Sequence, residues 1–127
     1  MTRTILAAAV SALAVQMAWT AESDVKGPRH VLDLTTGERN PRNGEGDLVR
    51  LKDGRILFVY TEYNGDSAND HARAHLVKRL SSDEGETWTK PIEVVPRLGR
   101  MNDMSVSFLR MNDGRLGLFY LRKNATT

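Results

Sequence analysis

Apolar and polar positions alternate in short runs along most of this chain, and clusters of glycine, asparagine, aspartate and proline separate the runs. This is the rhythm of strands joined by turns, since successive side chains on a strand point to opposite faces. The run "HVLDL" at 30–34 alternates in strand fashion and leads into "TTGERNPRNGEG" at 35–46, which is rich in turn formers. Two longer apolar segments, "LVRLKDGRILFVY" at 48–60 and "FLRMNDGRLGLFY" at 108–120, can be laid over one another. Arg50 then falls on Arg110, Asp53-Gly54-Arg55 on Asp113-Gly114-Arg115, and Tyr60 on Tyr120, each pair sixty residues apart. The chain contains an internal repeat.

Each copy predicts a hairpin of strand, Asp-Gly turn and strand, because both turn residues tolerate positive φ. "ARAHLVKRLS" at 72–81 predicts a third strand, with Ala74, Leu76 and Lys78 on one face and His75, Val77 and Arg79 on the other. "PIEVVP" at 91–96 predicts a short fourth strand, bounded by prolines that cannot join a central ladder. Hairpin, third strand, turn, fourth strand and then a second hairpin is the pattern of β-propeller blades. The expected fold is all-β: the first two blades of a β-propeller, blade one over about 47–96 and the start of blade two over about 102–122.

The N-terminus reads differently. Arg3 precedes an uncharged apolar run from Ile5 to Val15, relieved by Gln16 and then Glu22 and Asp24. This predicts a secretory signal peptide over residues 1–21, with a small-x-small match at Ala18-Trp19-Thr20, and a run too short to span a bilayer. The chain is therefore expected to be secreted or periplasmic, with no transmembrane segment beyond the signal peptide. Residues 22–46 are expected to form a linker with a lead-in strand and loop.

Composition narrows the chemistry. Among 127 residues, 18 basic and 16 acidic side chains leave a net charge of +2 without a basic cluster, so no nucleic-acid partner is expected. There is no cysteine, which excludes disulfides and thiolate metal sites. "DHARAH" supplies Asp70, His71 and His75, but the segment predicts loop and strand rather than the shared helix face that two histidines four apart need to hold zinc. No metal and no cofactor is expected. Met101, Met104 and Met111 near Phe108 predict core packing, and Asn124-Ala125-Thr126 matches the glycosylation acceptor pattern.

"SSDEGETW", Ser81 to Trp88, falls between the predicted third and fourth strands. Asp83 can accept backbone N–H groups of a turn, Gly85 permits positive φ, and Trp88 offers a large apolar face to hold the turn against its sheet. With Ser81, Asp83, Gly85, Thr87 and Trp88 all in place, the segment resembles the Asp-box of the sialidases, also called the BNR repeat of neuraminidases. The resemblance covers about 45–127 and implies a six-bladed propeller whose Asp-boxes are structural and lie away from the active face.

Sialidases cleave terminal sialic acid from glycoconjugates. The resemblance implies an arginine triad for the sugar carboxylate, an aspartate as acid/base, and a tyrosine nucleophile paired with glutamate. Tyrosine replaces the usual carboxylate nucleophile, which the substrate's own carboxylate would repel. Arginine suits the anion because its fork makes bidentate charge-assisted bonds. Carried onto this chain, the acid/base aspartate is Asp70, eleven residues ahead of Ser81, with Asp66 in the same "YNGDSANDH" loop as its competitor. Acting as an acid at neutral pH requires a raised pKa.

The family's first arginine opens the first blade in an Arg-Ile-Pro motif, which this chain lacks; gapless alignment puts Gly44 there. Arg42 is the nearest candidate for the carboxylate, then Arg39, with Glu45 and Asp47 adding negative charge beside them. The remaining arginines and the Tyr/Glu pair belong to later blades in that family. The expected function is that of an exported exo-α-sialidase acting on sialylated or related glycans, of which this chain is an N-terminal part, inactive alone. The alternatives are a non-catalytic propeller that binds glycans or proteins and a propeller hydrolase for another sugar.

Overall fold

The computed structural model describes residues 27–126, so the expected signal peptide lies outside the described residues. Those residues form an all-β, open sheet of six strands without a helix. The strands are β1 (Arg42–Arg50), β2 (Ile56–Tyr63), β3 (Ala74–Ser81), β4 (Ile92–Glu93), β5 (Asn102–Arg110) and β6 (Leu116–Lys123). β1, β2, β3 and β4 pair in sequence order as an antiparallel meander, and β5 and β6 form a second hairpin. A single parallel pair, Ala74 beside Asn102, links the two parts.

The repeat extends to the register of the ladders. Arg42 pairs with Tyr63, Asp47 with Val59 and Arg50 with Ile56; sixty residues on, Asn102 pairs with Lys123, Ser107 with Phe119 and Arg110 with Leu116. Both hairpins also carry an irregularity at one place, between Asn43 and Gly46 and between Met104 and Ser107.

The turns match too, with one correction. Leu51 and Arg55, and likewise Met111 and Arg115, close three-residue loops in which Gly54 and Gly114 donate back to Leu51 and Met111. Only the glycines take positive φ, at 90° and 81°. Asp53 and Asp113 instead accept the backbone N–H and guanidinium of Arg55 and Arg115. A type I turn followed by a left-handed glycine needs just that one residue free of a Cβ penalty.

The core lies between the two hairpins. Val59, Leu76 and Val106 are its buried centre, with Phe108, Leu118 and Tyr120 of the second hairpin packed against it. An apolar cleft of about 320 Å³, walled by Leu57, Leu80, Phe108 and Leu118, opens between the two hairpins at the Asp-Gly end. Met104 joins the buried set, whereas Met111, in the second turn, is exposed against the core expectation.

Three other boundaries differ from expectation. Residues 30–34 turn Leu32 and Leu34 inward but form no strand, and no other described segment pairs with them. β1 begins at Arg42, inside the segment expected as linker and loop, since the irregularity at Gly44–Gly46 lets the chain stay paired through its glycines. The fourth strand shrinks to two residues, confined by the prolines that frame it.

Candidate functional site

At one end of the sheet the register lines up a row of residues from different strands. Arg42 lies beside Tyr63, Tyr63 beside Ala74, Ala74 beside Asn102 and Asn102 beside Lys123. The loop between β2 and β3, which carries Asp66 and Asp70, folds over this row. It is built by local bonds: the Asn64 N–H donates to Arg73 O, the Ala72 N–H to Asn69 O, and the His71 N–H to the Asn69 side chain. Asn and Asp side chains that bond the backbone two residues on are the usual devices of such loops.

Arg42 and Asp70 meet in an ion pair. The Arg42 guanidinium also donates to Ala68 O at 3.1 Å, stands 4.6 Å over the Tyr63 ring, and lies 3.9 Å from Glu45. The Asp70 backbone carbonyl is held from the second hairpin by the Asn102 amide at 3.0 Å and by Lys123 Nζ at 3.4 Å. The same amide reaches Ala72 O at 2.8 Å. Tyr63 and Asn102 are fully buried, yet the Tyr63 hydroxyl and Asn102 Oδ1 have no hydrogen-bond partner among the described residues. Two buried polar atoms without partners are costly unless something else supplies a bond.

A Cβ at Gly44 would stand 3.3 Å from Tyr63 Cε2, close enough that the ring would have to give by a few tenths of an ångström. Arg42 reaches the same ring from two residues earlier.

The electrostatics run against an acid at rest. The hydrogen bond from Arg42, reinforced by its charge, holds the Asp70 carboxyl below the ordinary aspartate value. The Asp70 side chain is 64% exposed, so burial does little to oppose this. In this state Asp70 is an ionised partner of Arg42, whereas proton donation at neutral pH needs a raised pKa. Burial pushes the Tyr63 phenol up from its ordinary value, so it remains a neutral hydroxyl.

The competing candidates come together elsewhere. Arg39 and Asp66 line an open cleft of about 530 Å³ with Glu38, Asn64 and Arg73, and the Gly65 N–H donates to the Arg39 carbonyl. His75 is drawn away from Asp70 and His71, to Glu62 at 3.2 Å and Glu93 at 3.5 Å.

The Ser81–Trp88 turn lies at the opposite end of the meander, where Ser81 pairs with Ile56. The Ser81 hydroxyl donates to Asp83 at 2.8 Å and accepts the buried Gly85 N–H at 2.8 Å. Asp83 also accepts the Thr87 N–H at 2.9 Å and the Thr87 hydroxyl at 2.5 Å. Led by Thr87, these donors pull the Asp83 carboxyl down to about 2. Glu84 and Gly85 both take positive φ, and Trp88 donates to Gly85 O while meeting Phe58 edge-on at 6.1 Å. With its carboxylate committed to its own turn, Asp83 is a fastener.

Sequence reasoning missed Tyr63, Asn102 and Lys123. The repeat carried the signal, because Asn102 and Lys123 are the counterparts of Arg42 and Tyr63. It also missed the paired bonds of Arg50 to Glu84, which tie the first hairpin to the Ser81–Trp88 turn. No family model, curated protein or solved structure matches this chain.

Proposed function

We propose that this chain is the opening part of an exported, sialidase-like glycoside hydrolase, its two hairpins belonging to the first two blades of a propeller. The observation that carries the reading is the Arg42–Asp70 pair over the Tyr63 ring, at the end of the sheet opposite the Asp-box turn. A guanidinium there suits a sugar carboxylate. Arg42 holds that carboxylate, and Asp70 delivers a proton to the leaving glycosidic oxygen. A bound carboxylate competes with Asp70 for Arg42. Losing that partner and gaining cover from the sugar both move the Asp70 carboxyl upward, toward the range an acid needs. The nucleophile and further arginines are assigned to later blades.

The test is binding. The full chain, titrated with an α-sialoside by NMR, should bind the free carboxylate and not its methyl ester, and Arg42→Ala should remove that preference. Equal binding of acid and ester, or no binding, would sink the assignment of Arg42. In any longer form that hydrolyses sialosides, Asp70→Ala should lower kcat by about 10²–10⁴-fold.

The lowered Asp70 carboxyl favours a second reading, a non-catalytic propeller that uses Arg42 to bind acidic glycans. Carboxylate-dependent binding with unchanged substrate in longer forms selects this reading over the hydrolase.

A further inference from the structure

The apolar cleft between the two hairpins holds a charge that its walls do not answer. β3 turns Ala74, Leu76, Lys78 and Leu80 to one face, the face on which the second hairpin packs. Leu76 is fully buried, and Val59, the ladder partner of Lys78 on β2, is 1% exposed. Lys78 therefore occupies a core-facing position. It is half-buried and lines the cleft together with Leu57, Leu80, Phe108 and Leu118.

Among the described residues no carboxylate pairs with the Lys78 ammonium. Arg55, the other cation of the lining, is already held by Asp53 at 2.7 Å. At the same end of the sheet the two Asp-Gly turns stand side by side, so close that a Cβ on Gly114 would meet Lys52 Nζ at 2.8 Å. Lys52 adds a further cation there, while both turn aspartates are taken up by Arg55 and Arg115. An ammonium against apolar walls loses hydration that these walls do not replace, and its attraction for an anion strengthens as water is excluded. About 320 Å³ of apolar cleft with a few charged groups has the size and character of a small-ligand site.

We propose that this cleft binds a free amphipathic carboxylate, a medium-chain fatty acid, with its chain along Leu57, Leu80, Phe108 and Leu118 and its carboxylate on the Lys78 ammonium. A single apolar chain with one anionic end answers both the walls and the charge. The cleft lies at the Asp-Gly end of the sheet, opposite the Arg42–Asp70 pair, and the proposal stands whatever becomes of the glycosidase reading.

Titration of the full chain with decanoate, kept below its micelle-forming concentration and followed by two-dimensional NMR, tests this. Decanoate should shift the amides of Leu57, Leu80, Phe108 and Leu118 and bind about tenfold tighter than the neutral decanol. Octanoate should bind about 15-fold more weakly than decanoate, the factor that two buried methylenes supply. Lys78→Met keeps the apolar stem and removes the charge, so it should still bind decanol but lose the preference for the acid. Lys90→Met, at an exposed lysine outside the cleft, should keep that preference.

Absence of binding overturns the proposal, and means that another segment or partner fills the cleft. Equal binding of acid and alcohol, or a preference that survives Lys78→Met, overturns it by showing that the ammonium stays in water while only its stem lies in the cleft. A preference abolished by Lys90→Met, or shifts centred on the exposed Leu109, Phe119 and Leu121, overturns it by placing the ligand elsewhere.

Discussion

The Asp47 carboxylate on β1 accepts the Phe108 backbone N–H of β5 at 2.8 Å, which fastens the second hairpin onto the first across the edge of the core. Two further bonds follow the same seam, from the Ser105 N–H to the Thr61 hydroxyl at 3.1 Å and from Arg110 to the Arg50 carbonyl at 2.5 Å. Arg50 and Arg110 are repeat counterparts, so the two copies touch at equivalent residues.

Removing Asp47 leaves the partly buried Phe108 N–H without its acceptor. Asp47→Ala should destabilise the protein by about 1–3 kcal/mol in urea unfolding, and Asp47→Asn, which keeps an acceptor, by less. An unchanged midpoint in Asp47→Ala would show that the seam holds without this bond.

The Ser81–Trp88 turn gives a stability prediction and a pH prediction. Ser81→Ala leaves the buried Gly85 N–H unpaired and should lower stability by about 1–3 kcal/mol. Asp83, with a folded-state carboxyl near 2 against an ordinary aspartate value of about 4, stabilises the fold in its ionised form. Because the folded value is the lower one, that contribution is complete above pH about 4 and disappears as pH falls through 2. Thr87→Val removes the hydroxyl that matters most to this shift, so its acid unfolding, followed by circular dichroism, should begin at a higher pH than that of the unaltered chain. Superimposable acid transitions would mean the Thr87 hydroxyl does not hold Asp83.

At the candidate site, Arg42 is the first cause of the depressed Asp70 carboxyl. In Arg42→Ala the Asp70 carboxyl should titrate higher, back toward the ordinary aspartate range, as read by NMR of the side-chain carboxyl carbon. Titration unmoved by the substitution would separate the two residues in solution.

Much of this was legible locally. Period-two alternation located β3, and apolar runs on either side of the Asp-Gly pairs located the four hairpin strands. The Asp-Gly pairs located both turns, and the sixty-residue offset fixed the register of the second hairpin once the first was known. Where local reading failed, the missing information was the neighbour. Residues 30–34 have the alternation of a strand and no ladder among the described residues, while Arg42, Asn43 and Gly46, in a glycine-rich stretch that reads as a loop, are paired. The spacing around Ser81 marked a self-contained turn, and its bonds lie within a few residues of one another.

By itself, then, the sequence determined the all-β class, the repeat, the hairpin turns and the self-contained turn at Ser81–Trp88, since each arises from side chains and backbone within a short stretch. Only the tertiary structure decided that Arg42 meets Asp70, that Asn102 and Lys123 hold the Asp70 loop from the other hairpin, and that Leu109, Phe119 and Leu121 are left uncovered. The first joins a strand to a loop of its own meander, the second joins the two hairpins and the third depends on which face the packing covers, and none of them leaves a periodic trace in the chain.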